Sequence, residues 1–571
     1  MCWDTGLFNY VGQVMQSKYT DFIPKSIVCF REGYSKEYFL NDLFAGISVG
    51  VIALPLALAF AIASGVSPER GLFTAIIAGF LISLLGGSRV QIGGPTGAFV
   101  IIVDAAIQKH GYEGLALATL IAGILIVLMG LARFGVLLKF IPYPVITGFT
   151  TGIALIIFSS QIKDFFGLEA DRVPSEFLEK YKFYYEIAPT WNLWAFLIAF
   201  STLTLIFVLR HYHPRWPGAI IAITLATTAA YFFDLPIETI ESKFGEIPRT
   251  LPSPALPHFS YDLFKAVLPD AITIALLGAI ESLLSAVVAD GMIGTKHRSN
   301  GELVAQGLAN IGSVIFGGIP ATGAIARTSA NIRMGAKTPV AGMIHAITLL
   351  LLMLFLAPLA GKIPLAALAG VLTFVAWNMS ELPHVIEILK GHQSDAIILL
   401  ITFLLTVLID LTVAVQVGII LAALLFLKRM TDKTTVEICQ NLVKENKNEI
   451  AEPSDAELLF RKDIPSDVTV FEIRGPFFYS VADLLDEVLF QLNYHPRVFI
   501  LRLHKTPLID ATGLQAIKQF GLKCKKKGIL FMLADVDDKN YDLFINSGIA
   551  EAIGKDLMFK DIEVALTYVN S

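Results

Sequence analysis

From Leu43 to Leu427 the chain alternates between apolar blocks and short polar breaks. A run of about 20 apolar residues with few charges has the length that crosses a bilayer as a helix. The first set of blocks covers 44–64, 71–86, 97–108, 114–132, 140–160, 192–209 and 216–233. A polar interval with Pro248, Pro252, Pro254 and Pro257 follows. The second set covers 266–289, 302–317, 325–333, 339–358, 363–378, 394–410 and 412–427. The pattern predicts an α-helical polytopic membrane protein with 14 spans, arranged as two repeats of seven at about 44–233 and 266–427. Blocks 97–108 and 325–333 are too short to cross alone.

The two sets match in detail. Thr96-Gly97-Ala98 follows Pro95, and Thr322-Gly323-Ala324 stands 226 residues later, two positions after Pro320. Each word opens one of the short blocks. Asp42 to Gly65 opens the first half and Asp270 to Gly291 the second. A Gly-Gly pair ends the second block of each, at Gly86-Gly87 and Gly317-Gly318. An odd number of spans per half makes the repeats inverted, and paired interruptions at corresponding positions point to the substrate site of a secondary transporter.

Beyond residue 436 the pattern changes. Val468 to Ile473, Val498 to Leu503 and Ile529 to Ala534 are short β-branched runs, with helical patterns at 481–492 and 513–527. Strands alternating with helices predict a small α/β domain. The expected organisation is an N-terminal segment, 1–43, a transmembrane part, 44–430, and a C-terminal domain with its linker, 431–571.

Composition agrees: 55% of the 571 residues are hydrophobic and 16% are charged, where soluble domains carry about a quarter charged residues. Lys428, Arg429 and Lys433 follow the last span, and Lys18, Lys25, Arg31 and Lys36 precede the first. Both ends are therefore expected in the cytoplasm of a multi-pass inner (cytoplasmic) membrane protein. Residues 1–43 lack an apolar core with a cleavage site, so no signal peptide is expected. The four cysteines, Cys2, Cys29, Cys439 and Cys524, are scattered without metal-ligand spacing. No metal, cofactor or nucleic-acid partner is expected, and nothing resembles a nucleotide loop or a nucleophile–base pair, so no enzyme is expected either.

The chemistry sits at the two breaks. A helix start leaves N–H groups unsatisfied and carries partial positive charge, so two facing starts make an anion site. The expected donors are amides near Ala98, Phe99, Ala326 and Arg327, with hydroxyls from Thr96 and Thr322. Gly97, Ala98, Gly323 and Ala324 allow close approach. Packing of small residues between helices is the plainer alternative. Arg327 is an arginine at membrane depth, which is costly and usually functional. Its planar fork suits carboxylate or sulfate, or it serves as a structural partner of Glu281. Glu281 lies in the middle of block 266–289 and is a proton-relay candidate. Ser285, one turn later, shares its face. His345 is expected to be a hydrogen-bonded core histidine. Asn331 and Arg333 are expected to satisfy the carbonyls of their own helix. Asp104 and Asp410 are expected at interfaces.

Several strings resemble the SulP anion transporters, solute carrier family 26. They are Gly93-Gly94-Pro95-Thr96-Gly97-Ala98, Leu277 to Leu284, and Ile325 to Asn331 followed by Gly335-Ala336-Lys337-Thr338. Ile509-Asp510-Ala511-Thr512-Gly513-Leu514 resembles the signature loop of a STAS domain. Within the family, Gly278 to His297 and Val375 to Glu381 look like the bacterial DauA-type C4-dicarboxylate transporters. The resemblance implies intertwined inverted repeats split into core and gate subdomains, and a homodimer. It places an arginine beside the substrate at Arg327 and a coupling carboxylate at Glu281, with Na⁺ as an alternative to H⁺ and Ser285 as a further ligand. Where some members carry a serine, this chain has Ala326, so one side-chain donor is missing. The resemblance also makes Thr512 a candidate phosphorylation and regulatory residue, against the plainer reading as a helix N-cap. The run from Lys523 to Lys527 reads as a solvated helix end. The function expected is proton-coupled uptake of small dianions such as C4-dicarboxylates by an elevator-like motion. Sulfate or bicarbonate transport and an anion channel are the alternatives. A cytoplasmic protein partner would act through the C-terminal domain.

Overall fold

The computed structural model describes residues 21–135, 142–170, 173–174, 176–213, 216–409, 411–432, 435–438, 465, 467–478, 485 and 496–570. The chain divides into two compact units, one ending at Ala422 and one beginning at Ala423.

The first unit is helical. Its first half holds α1 (Lys25–Gly33), α2 (Lys36–Ala63), α3 (Pro68–Leu85), the two-residue strand β1 (Gly93–Gly94), α4 (Gly97–Leu131), α5 (Tyr143–Phe166), α6 (Phe177–Ile187), α7 (Leu193–Tyr212), α8 (Gly218–Phe232) and α9 (Ile240–Phe244). The second half holds α10 (Tyr261–Ile293), α11 (Ser299–Ile315), β2 (Thr322–Gly323), α12 (Ile325–Arg333), α13 (Val340–Gly361), α14 (Leu365–Met379), α15 (Leu382–Lys390), α16 (Gln393–Leu408) and α17 (Leu411–Asp432). Every apolar block of the sequence falls on one of these helices. Among the described residues nine helices are long and apolar enough to cross a membrane, and Gly218–Phe232 and Gln393–Leu408 are shorter apolar ones. Blocks 97–108 and 114–132 lie on the single element α4, divided at Gly111, whose φ of 67° and ψ of −174° are not helical. Glycine adopts that conformation without a Cβ penalty.

The helices pack as the exchange of two inverted repeats requires. α2 packs on α13, and its counterpart α10 packs on α4. α3 also packs on α13, and α11 on α4. Farther along, α7 packs on α14, and α16 on α5. The first four helical positions of each repeat thus form one bundle and the last three form another, with α5 and α14 in contact at the centre of the second. The α4–α11 crossing is close because it is made by glycines. A Cβ on Gly307 would lie 2.5 Å from the carbonyl oxygen of Gly123, and one on Gly123 would lie 2.8 Å from that of Gly307. Small residues at such crossings let backbones approach in a membrane.

In the second unit the sheet order is β3 (Thr435–Ile438), β4 (Val468–Arg474), β5 (Val498–Arg502), β6 (Leu530–Ala534). β4, β5 and β6 are parallel and β3 is antiparallel to β4. The strands alternate strictly. Phe471, Ile473, Phe499, Leu501, Phe531 and Leu533 face a core shared with α18 (Ala511–Lys526), α19 (Asp538–Asn546) and α20 (Ile549–Ile553). Val468, Val470, Val498, Ile500 and Met532 face α21 (Ile562–Asn570) through Ile562, Ala565 and Leu566. Burial on both faces is why these strands are apolar at most positions of both parities. Cys524 lies in the first core, where burial pushes its thiol up to about 12. The expected helix 481–492 and the linker before Asp463 lie, except for β3 and Leu485, outside the described residues.

Gly307→Leu is expected to abolish a monodisperse membrane unit in size-exclusion chromatography, because a side chain there must displace the α4 backbone. Gly291→Leu, where a Cβ meets nothing within 4 Å, is expected to behave as the parent. Equal behaviour of the two variants would refute the close crossing.

Candidate functional site

The polar interior of the helical unit lies where two interrupted segments cross. β1 and β2 pair antiparallel, Gly93 opposite Gly323 and Gly94 opposite Thr322. The amide of Ala324 donates to the Ile92 carbonyl at 2.8 Å. Segment 90–95 then runs along the buried face of α12. The Ile92 amide donates to the Thr328 hydroxyl at 3.0 Å, and Asn331 Nδ2 donates to the Val90 carbonyl at 2.9 Å. Asn331 therefore serves the neighbouring segment rather than the carbonyls of its own helix.

The crossing leaves two helix starts together, α4 after Thr96 and α12 after Ala324. Neither N-cap residue caps its own helix start with a side-chain hydrogen bond. Among the described residues the amides of Gly97, Ala98, Ile325, Ala326 and Arg327 have no protein acceptor. The expected donor Phe99 is used differently, since its amide donates to the Thr96 carbonyl at 3.2 Å. Ala98 and Phe99 are only 1% and 2% exposed, and the Phe99 ring packs against Gly278. Ile325, 40% exposed, and Ala326 face open space, with Thr96 and Glu281 partly open. Gly97 lies under Met379 of α14, Ile157 of α5 and Phe60 of α2.

α10 forms one wall. The Thr96 hydroxyl donates to Glu281 Oε2 at 3.3 Å. The hydroxyls of Ser282 and Thr322 are 2.7 Å apart, and Thr322 also donates to the Gly278 carbonyl at 3.2 Å. Gln91 Nε2 donates to the Ser282 carbonyl at 2.9 Å. It occupies the space a side chain on Gly323 would need, 1.6 Å from an ideal Cβ there. Ser285 is not joined to Glu281: its hydroxyl lies 3.2 Å from that of Thr328 on α12. The two α10 residues expected to act together are thus bonded to different half-helices. Ser282, Gln91 and Thr328 were not singled out from the sequence. Lone polar residues in apolar spans give no signal until their partners, 43 and 191 positions away for Ser285–Thr328 and Gln91–Ser282, are known.

Arg327 is 3% exposed. One terminal nitrogen donates to the Pro95 carbonyl, and Nη1 is buried without a partner. No carboxylate pairs with it among the described residues, so it is not the ion-pair partner of Glu281. Gly94, with φ 148°, makes room for it: a Cβ there would lie 2.6 Å from Nη1. Other buried polar groups are structural. Glu302 accepts from the amides of Gly87 and Ser88 at 2.8 and 3.1 Å, at the end of α3. His345 is fully buried, with the Val49 backbone against its ring. Asp104 accepts from Gln108 at 3.0 Å. Asp410 lies outside the described residues.

In the second unit Thr512 is not the N-cap of α18. Asp510 is, accepting from the Gly513 amide at 2.7 Å. The Asp510 carboxyl oxygen reaches the third amide of the helix, a preferred capping geometry, and Thr512 stands exposed in the first turn.

Comparison with known proteins adds three kinds of likeness. The family model "Sulfate permease family" matches residues 39–402, and "STAS domain" matches residues 460–565. A Bacillus subtilis (strain 168) protein named as a candidate sulfate transporter, YvdB, is 42% identical over 530 residues, covering 92% of this chain and 97% of its own length. The bicarbonate transporter BicA of Picosynechococcus sp. is 33% identical over 474 residues, covering 78% of this chain and 81% of its own. The solved murine Slc26a9 anion transporter, in the inward-facing state, superposes with a TM-score of 0.84 over 100% of this chain and 96% of its own, at 18% identity. That last likeness is one of fold.

Gly94→Ala is expected to lower the melting temperature in detergent by displacing the Arg327 guanidinium at a strained φ, a cost of about 1–3 kcal/mol. An unchanged melting temperature would mean that the guanidinium relocates freely.

Proposed function

The chain belongs to the sulfate permease family and is a membrane anion transporter, and we propose that it works as a coupled carrier whose substrate binds between the starts of α4 and α12. One observation carries this reading: Arg327 is a buried cation with an unpartnered nitrogen and no carboxylate against it. An uncompensated buried charge is strongly unfavourable, so an anion is its natural complement. The free amides of Gly97, Ala98, Ile325 and Ala326 add fixed partial positive charge around the same point.

Glu281, bonded to Thr96 at the same crossing, supplies the coupling. A carboxylate beside a bound anion repels it, and a protonated carboxyl does not. Proton and anion therefore favour each other's binding, reciprocally. The substrate is a small dianion. C4-dicarboxylates fit the guanidinium fork, and sulfate fits it equally. The name of the Bacillus relative supports sulfate, and that of BicA supports bicarbonate, for which Na⁺ in place of H⁺, with Ser285 nearby, is the alternative coupling. The bundle of first helical positions moves as a core against the gate bundle of α5, α7, α14 and α16 in an elevator-like cycle. Ile157 and Met379 cover the site from the gate side. The protein works as a homodimer in the inner membrane with both ends cytoplasmic. Residues 44–430 transport, and residues 431–571 bias the cycle through partners or phosphorylation at Thr512.

The test is uptake by purified protein in liposomes, over labelled fumarate, succinate, sulfate and bicarbonate, with and without a pH gradient. Arg327→Ala is expected to raise KM for the preferred anion by roughly tenfold or more, the loss of one charge-assisted contact worth ~1.5–3 kcal/mol. Arg327→Lys is expected to restore only part, because the fork is gone. Glu281→Gln is expected to abolish accumulation driven by the gradient while keeping exchange. An alanine variant with parental KM, or a glutamine variant that still accumulates, refutes the corresponding role.

A further inference from the structure

Asp42 of α2 and Asp270 of α10 lie 228 positions apart. Asp42 is 0% exposed. Its Oδ1 accepts from the amides of Lys337 and Thr338 at 2.7 and 3.1 Å, and its Oδ2 accepts from the Thr338 hydroxyl at 2.5 Å and the Tyr34 hydroxyl at 3.1 Å. Thr338 stands in the connection between α12 and α13. Asp270 Oδ2 lies 3.6 Å from His110 Nε2. His110 directly precedes Gly111, the break between the two parts of α4. His110 and Thr338 are again 228 positions apart, as are Gly94 and Thr322, which face each other in the strand pair. Equivalent carboxylates of the two repeats therefore reach equivalent positions of the opposite repeat.

Each contact falls at the far end of an interrupted helix whose start lies at the crossing. α12 has nine residues, so its two ends are only about 13 Å apart at 1.5 Å per residue. A small tilt at residue 338 therefore displaces the amides at 325–327. The two contacts differ in burial. Asp42 is 0% exposed, whereas the side chains of His110 and Asp270 are 21% and 22% exposed. We propose that Asp42 and Asp270 are paired positioning residues, each fixing the far end of the other repeat's half-helix so that the two helix starts stay opposed. The tether on α12 is the buried one and that on α4 the more exposed one. The role in binding rests on the reading of the crossing as the anion site; the mechanical coupling does not.

Hydrogen–deuterium exchange on the full chain in detergent separates the two. Asp42→Asn is expected to speed exchange in peptides covering 325–337 by roughly tenfold, the size of one lost charge-assisted hydrogen bond, and to leave 97–110 unchanged. Asp270→Asn is expected to do the reverse, with a smaller change. Thr338→Val, which removes only a hydroxyl, serves if Asp42→Asn does not fold. The same variants in liposomes are expected to raise KM for labelled sulfate or succinate severalfold without loss of maximal rate per folded protein, and Arg327→Ala is measured alongside. Exchange that rises everywhere, nowhere, or in the same repeat overturns the tethers. Crossed exchange with parental KM, while Arg327→Ala raises KM, overturns their role in binding. Parental KM in all variants, Arg327→Ala included, overturns the site instead.

Discussion

A helix that stops inside a bilayer leaves backbone donors and acceptors with no water to meet them. Here two such helices stop at the same place, and the extended residues before each satisfy those before the other through the Gly93–Gly323 and Gly94–Thr322 pairing. The pairing brings two main chains together at positions that tolerate little or no side chain. Gly94 leaves room for Arg327, and Gly323 leaves room for Gln91. Most of the polar groups around the crossing then follow: Thr322 meets Ser282, Thr328 meets both Ile92 and Ser285, and Thr96 meets Glu281.

The arrangement keeps the two charged groups apart. Arg327 bonds to Pro95 and Glu281 to Thr96, each on the opposite segment or helix, and neither neutralises the other. A direct ion pair would have closed the site electrostatically, because an incoming anion would have to compete with a bound carboxylate. Separate anchoring leaves the cation without a carboxylate against it among the described residues.

Much of this was legible in the sequence. Membrane helices announce themselves by composition, so every apolar block found its helix. The repeated Thr-Gly-Ala word located both breaks, and the Asp42–Asp270 match marked the openings of the two halves. The chain did not reveal that Asp42 is bound through amides of residues 337 and 338, or that Ser285 faces Thr328 rather than Glu281. Helical spacing places two residues on one face but not the neighbour each of them meets. Phe99 was assigned to the ligand because it follows the break, but an amide three residues past the cap already finds the cap's own carbonyl. The cap is Asp510 and not Thr512, two positions later, because a shift of one or two residues in a helix start is invisible to periodicity.

The most direct test of the central claim is a density map of the protein with selenate or a brominated succinate, in which the anion is identified by its heavy atom. The anion is expected within hydrogen-bond distance of Arg327 Nη1 and of a backbone amide at Ala98 or Ala326. An anion bound elsewhere, with both helix starts filled by side chains of the protein, would contradict it.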